Sequence, residues 1–324
     1  MASFGDLNRV NTNIQSLDSQ LSLNKINKQM AENQLKMSTG KRINRAEDDS
    51  AGFSIATKLR SRIGGLNQAM QNVGDAKSVL DIAESSFGTV MDNLVEMKGL
   101  ATQAANDTLG DDERGFIGDQ LKALGEDINK IADQTVYQDY ELLNGDDSTG
   151  TMSGTLSLTF QVGERESDTI TADLSAVNVG ELFASGTAAG GTVNLGDATG
   201  AGATGDGSAI TAVAADTDSA GSLTFGSTAN SADYRSFIGK VDEAITTMSE
   251  NVNDIGITQS SLSVREQTLS ESISANESAK SRIMDTDFAK AQSESVRLQI
   301  LQQTATSSLA QANNGPQSVL GFIG

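Results

Sequence analysis

"IGGLNQAMQNVGDAKSVLDIAESSFGTVMDNL", residues 63–94, places Ile63, Leu66, Met70, Val73, Leu80, Phe87, Met91 and Leu94 at alternating steps of three and four. Such steps line side chains along one stripe of a helix. A stripe sustained over about four heptads belongs to helices packed nearly parallel along their length. Only Lys77 and Glu84 intrude on it. The spacing predicts a helix from roughly 50 to 106, about 80 Å long at ~1.5 Å per residue.

Outward from this stretch the same period recurs. Leu7, Val10, Ile14, Leu17 and Leu21 open the chain with a stripe that turns more polar through Lys28, Ala31 and Leu35. Ile117, Leu121, Leu124, Ile128 and Ile131 form a shorter one behind "NDTLGDDERG", whose acidic residues suit a positive helix N-terminus. Ile238, Val241, Ile245, Met248, Val252, Ile255, Leu262, Leu269, Ile273 and Ile283 make another long stripe. Leu298, Leu301, Ala305, Ser308 and Ala312 make the last, and "NNGP" is expected to end it.

In between, the period changes to two. Leu156, Leu158, Phe160 and Val162 alternate with polar residues, as do Ile170, Ala172 and Leu174, which predicts two strands joined across "GERESD". From about 180 to 230 the chain is mostly Gly, Ala, Thr, Ser and Asp, a composition for a small, loop-rich β insert. Between 145 and 230 eleven acidic residues stand against Arg165 alone, so this part is expected to face water. The expected fold is mainly α: a long antiparallel coiled-coil rod made from both termini, with a β-hairpin region and a small β/loop-rich central insert.

Composition removes many functions. His and Cys are both absent, which excludes disulfides, thiolate and imidazole metal ligands and the nucleophilic systems built on them. No cofactor or metal site is expected, nor an enzyme. "GDATGAGATGDG" offers carboxylates and turns but neither an EF-hand spacing nor a Gly-Asp repeat. A formal net charge of -20 argues against nucleic acid and against an anionic membrane. "MASFGDLNRVNTNIQ" has no signal-peptide order and no apolar run is long enough to span a bilayer, so export, if any, would use no cleavable signal. The last charge is Arg297; beyond it "LQILQQTATSSLAQANNGPQSVL" is helical in spacing yet carries only apolar residues, amides and hydroxyls. A solvated helix covers its outer face with charges, so this one is expected to meet protein on more than one side.

"KRINRAEDDSAGFSIATKLRSRIGGLNQAMQN" and "SRIMDTDFAKAQSESVRLQILQQTATSSLAQANNGPQSVL" resemble the N- and C-terminal signatures of bacterial flagellins, and "LSLTFQVG" is similar to the family's β-hairpin strand. The likeness covers about 1–180 and 231–324. It implies a secreted subunit exported unfolded by the flagellar type III apparatus and polymerised into the extracellular filament. Its partners would be other copies of itself, an export chaperone, the filament cap protein and the hook–filament junction protein. Residues 1–44 and 291–324 would be the two halves of an inner-tube helical domain. Residues 45–180 and 231–290 would form the rod domain, and 181–230 a variable surface insert. The terminal stripes then supply the filament interface: Leu7, Val10, Ile14, Leu17, Leu21, Leu298, Leu301, Ala305, Leu309 and Ala312. Arg42, Arg45, Asp48 and Asp49 lie in the family's connector, where the resemblance implies contacts between subunits; as bare sequence they are a solvated turn of mixed charge. "DNLVEMKGLATQAAN" falls where flagellins present a surface to an animal Toll-like receptor. Glu96 and Gly99 depart from the activating pattern, while Lys98 and Gln103 remain. A junction protein, an adhesive insert on the same filament and a cytosolic coiled-coil scaffold are the alternatives.

Overall fold

The computed structural model describes residues 13–138, 140–145, 154–184, 192–195, 210–215, 220–226 and 229–320, with side chains to 314. Leu7, Val10 and the Gly/Asp-rich segment 196–207 lie outside them. The chain divides into two compact units, Met1–Gly64 with Ser272–Gly324, and Gly65–Glu271. Among the described residues it is mainly α, with six helices and small antiparallel sheets in the middle of the sequence. The long helices α2 (Ser50–Ala104) and α5 (Ser231–Met284) have residues in both units.

In the second unit α2 and α5 run antiparallel. Lys98 pairs with Asp242 at 2.6 Å and Lys77 with Glu266 at 2.6 Å, while Gln259 donates to Asp81 and Glu84. The buried face of α2 is Leu66, Ala69, Val73, Ala76, Leu80, Ala83, Phe87, Val90, Leu94, Met97 and Ala101. This refines the sequence stripe. At alternate turns the seam takes Ala69, Ala76, Ala83 and Val90 rather than Met70, Lys77, Glu84 and Met91, so Lys77 and Glu84 are not intruders but edge residues reaching α5. On α5 the same substitution of neighbours occurs, with Phe237 and Ala244 buried beside Ile238 and Ile245.

Helix α3 (Asp111–Gln134) begins after Gly110 with Asp111, Asp112 and Glu113 in its first turn, where the helix dipole favours anions. It is anchored by Arg114, which sequence reading had passed over. Its guanidinium donates to the Ala104 and Asn106 carbonyls, satisfying acceptors left open past the end of α2, and pairs with Asp111 at 3.1 Å.

The hairpin is as expected: β1 (Thr155–Gln161) pairs with β2 (Thr169–Ser175) in the register Leu156↔Leu174 and Phe160↔Ile170. A short helix, α4 (Val179–Ala184), and a three-stranded antiparallel sheet follow: β3 (Thr192–Asn194), β4 (Ile210–Val213) and β5 (Ser222–Phe225) in that order. The described part of this insert is not simply a solvated decoration. Phe183, Leu195, Ile210 and Leu223 are buried, and β5 lies against α3. The approach uses two helical glycines: a Cβ on Gly118 would sit 2.9 Å from Phe225 Cβ, and one on Gly125 3.1 Å from Leu223 Cδ1. Phe225 then stacks on Tyr234 and meets Phe237 edge-on, and Phe183 stacks on Phe237. Asn129 ties the insert down, accepting from the Val179 amide and donating to the Gly221 carbonyl. The few large apolar groups of an acidic, small-residue segment are therefore spent on one face.

Candidate assembly interface

The first unit is built on α1 (Ile14–Thr39) and α6 (Phe288–Leu320), packed antiparallel. Asn13 donates to the Ala312 carbonyl, Ser16 to Asn313 Oδ1, Gln302 to Asn27 Oδ1 and Asn33 to the Ala291 carbonyl, each between 2.7 and 2.8 Å. The inward faces follow one heptad each: Ser16, Ser19, Leu23, Ile26, Met30, Asn33 and Met37 on α1, and Ala291, Ser295, Leu298, Gln302, Ala305, Leu309 and Ala312 on α6. This seam is thin. Among the described side chains only Ala291, Leu298 and Ala312 are buried on α6 and no residue of α1 is.

The remaining apolar side chains point away from the seam. Leu17 and Leu21 are 58% and 69% exposed, and Val296, Ile300, Leu301 and Phe288 are also open. Leu298, Ala305, Leu309 and Ala312 thus line the helix pair, whereas Leu17, Leu21 and Leu301 lie on its outer surface; Ile14 is half-buried. Leu301 does not seal the intramolecular seam as its spacing suggests, because from Leu298 a step of four, not three, leads to the inward Gln302. Between the helices on the outer side, Ser19, Ser22, Ile26, Leu301, Thr304 and Ala305 line an open groove of about 320 Å³.

The connector joins α1 to α2 through a fixed set of hydrogen bonds. Gly40 closes α1 with φ +69°, a left-handed conformation that favours glycine. Lys41 bridges Asp285: the Arg42 amide donates to the Met284 carbonyl and the Thr286 amide to the Gly40 carbonyl, while the Arg42 guanidinium reaches the Ile283 carbonyl. Asp48 accepts from the amides of Asn44 and Arg45, both at 2.9 Å, and these bonds hold its pKa below the usual carboxylate value. Asp49 caps α2 by accepting from the Gly52 amide. Asp287 does the same for α6, accepting from Ala289 and Lys290. Arg45 pairs with Glu47 at 3.1 Å. Of the four connector residues, the two aspartates therefore shape the turn and the two arginines lie exposed on it. The capping roles of Asp49 and Asp287 do not follow from the sequence reading, in which Asp49 is part of a solvated, mixed-charge turn.

On α2, Glu96 and Gln103 are exposed, and Lys98 is committed to its ion pair with Asp242. Among the described residues no helix is long and apolar enough to cross a membrane, and no cluster of acidic side chains is arranged to hold a metal ion.

Residues 10–148 match the family model of the bacterial flagellin N-terminal helical region, and residues 238–323 that of the C-terminal helical region. The chain belongs to the bacterial flagellin family. It is 33% identical to flagellin of Bacillus subtilis and 31% identical to flagellin of Listeria innocua, in each case over 97% of this chain and 99% of the relative. It is 30% identical to the flagellar filament 33 kDa core protein of Treponema phagedenis, with the same coverage. A solved structure assigned as a flagellar hook-associated protein of Vibrio parahaemolyticus covers 74% of this chain and all of its own, with TM-score 0.51 and 14% identity, a likeness of fold. Membership gives this flagellin its role as a structural subunit of the flagellar filament. The exposed rows of α1 and α6 and the connector fall in the two matched helical regions, and the sheet β3–β5 falls between them.

Proposed function

We propose that this flagellin polymerises through the outer face of the α1–α6 pair. The observation that carries the reading is the set of exposed apolar side chains, Leu17, Leu21, Val296, Ile300 and Leu301, on helices whose own seam is sparse. Beyond Arg297 no charged side chain follows on α6. Water disfavours the apolar groups at about 25 cal/mol per Å², and amides left on the surface can bond sideways to neighbouring copies. Arg42, Arg45, Asp48 and Asp49 make connector contacts to an adjacent subunit. Contacts between unlike surfaces that do not close into a ring repeat into a helical filament.

The subunit acts outside the cell and has no catalytic role. It leaves unfolded through the flagellar type III apparatus, escorted by an export chaperone, and is placed under the filament cap on a base of hook–filament junction protein. No cofactor, nucleic acid or membrane enters this account. The surface at Glu96, Lys98 and Gln103 engages a Toll-like receptor weakly, since Glu96 puts a negative charge there and Lys98 is already paired. Glu96→Arg should raise the signal in a receptor-reporter assay; an unchanged signal would remove that assignment.

The assembly claim is tested by removing both terminal helices. Residues 45–290 alone should stay folded and monomeric in sedimentation, while the full chain polymerises on salting out. Filaments formed equally well by both would sink it.

A further inference from the structure

The first unit holds a second concavity, a groove of about 870 Å³ between the C-terminal half of α1 and the connector. Its floor is Ala31, Leu35 and Ile43, and its rim carries Lys28, Glu32, Lys36, Arg42, Arg45, Glu47, Asp48 and Asp49. Most of these charges are engaged. Lys28 is 3.9 Å from Glu32, Arg45 pairs with Glu47, and Asp48 and Asp49 accept backbone amides. Lys36 and Arg42 form no ion pair among the described residues, although Lys36 lies near enough to Asp48 to help lower its pKa and the Arg42 guanidinium donates to the Ile283 carbonyl. The groove thus presents the apolar side chains of Ala31, Leu35 and Ile43 beside two cations outside any ion pair.

On the second unit, α3 carries the converse. Phe116 is 68% exposed in a chain with only ten phenylalanines. Asp112 and Glu113, four and three residues before it, share its face of the helix, and neither is engaged by a cation among the described residues, unlike Asp111, which Arg114 takes. Their preference for a helix N-terminus explains one of two functions at most, because an aromatic ring gains nothing from solvent there.

We infer that Phe116 of one copy seats on the Leu35 floor of the connector groove of a second copy, with Asp112 and Glu113 facing Lys36 and Arg42. The knob and the groove are different surfaces, so the contact is heterologous and propagates rather than closing. It deepens the filament reading above and rests on it, naming the patch of the neighbouring subunit that the connector meets.

The absence of cysteine from the natural chain makes the test direct. Phe116→Cys and Leu35→Cys are made singly and together, polymerised under reducing conditions, then oxidised. The expected result is a ladder of disulfide-linked dimers and higher multimers from filaments of the double variant, absent from its monomers and from either single variant. Filaments without that ladder would overturn the docking while leaving polymerisation intact. A disulfide within monomers would place the contact inside one chain and also overturn it. Failure of the cysteine-free chain to polymerise at all would instead defeat the filament reading. As a second measure, Glu113→Lys should raise the critical concentration for polymerisation about tenfold, and adding Lys36→Glu should restore it; no rescue would count against the pairing.

Discussion

The two units bury their apolar groups in opposite ways. The second holds Phe87, Tyr234, Phe237, Leu80, Leu94, Met97, Leu121 and Ile128 at 0–1% exposure, with aromatic rings from α4, β5 and α5 in mutual contact. Among its described residues the first buries only the apolar side chains of Ile43, Ala56, Ile63, Ala291, Leu298 and Ala312, and leaves leucines and isoleucines open on both terminal helices. A unit of the second kind satisfies itself. On the assembly proposed above, a unit of the first kind is completed by other copies.

Cavities separate the two most strongly. Phe237→Ala removes a fully buried ring that touches Phe183 and Phe225, and should cost about 3 to 5 kcal/mol in denaturant melts of the monomer. Leu301→Ala, on the open face of α6, should change that melt by no more than about 0.5 kcal/mol. Equal effects would erase the distinction.

A smaller effect distinguishes the second unit by pH. Tyr234 is buried and its hydroxyl donates to the Arg114 carbonyl at 3.0 Å; burial pushes its pKa up from 10.0. The unfolded phenol ionises near 10 while the folded one resists, so its contribution is fully present below pH 10 and is lost as pH rises through the folded value. Tyr234→Phe should lose about 1 kcal/mol at neutral pH and show a shallower decline above pH 10. A parallel decline in both proteins would assign the alkaline transition to other groups.

Most of the architecture was legible because its signals are local and repeated. Helix periods and the hairpin alternation each depend on spacing within a few residues. The seams were legible only to within one position. A step of three or four is equally helical, and neighbours decide between them: on α2 the small Ala69, Ala76 and Ala83 let α5 approach while Lys77 reaches Glu266. On α6 Gln302 turns inward to meet Asn27, leaving Leu301 outside. The role of the insert's Leu195, Ile210 and Leu223 was not legible. For Leu223 the burial depends on Gly125 of α3, far away in sequence, while Gly118 clears space for Phe225 of the same strand. Arg114 was missed for a similar reason, since its acceptors are carbonyls at the end of another helix.

The central claim, that the exposed face of α1 and α6 is the surface on which copies assemble, is most directly tested by Leu21→Lys in the full chain. Leu21 is 69% exposed and outside the seam, so a charge there has nothing to disturb in the monomer. The expected result is an unchanged helical signal and melting curve, with no filaments sedimenting under conditions that polymerise the natural sequence. Filaments at the natural critical concentration would contradict the account.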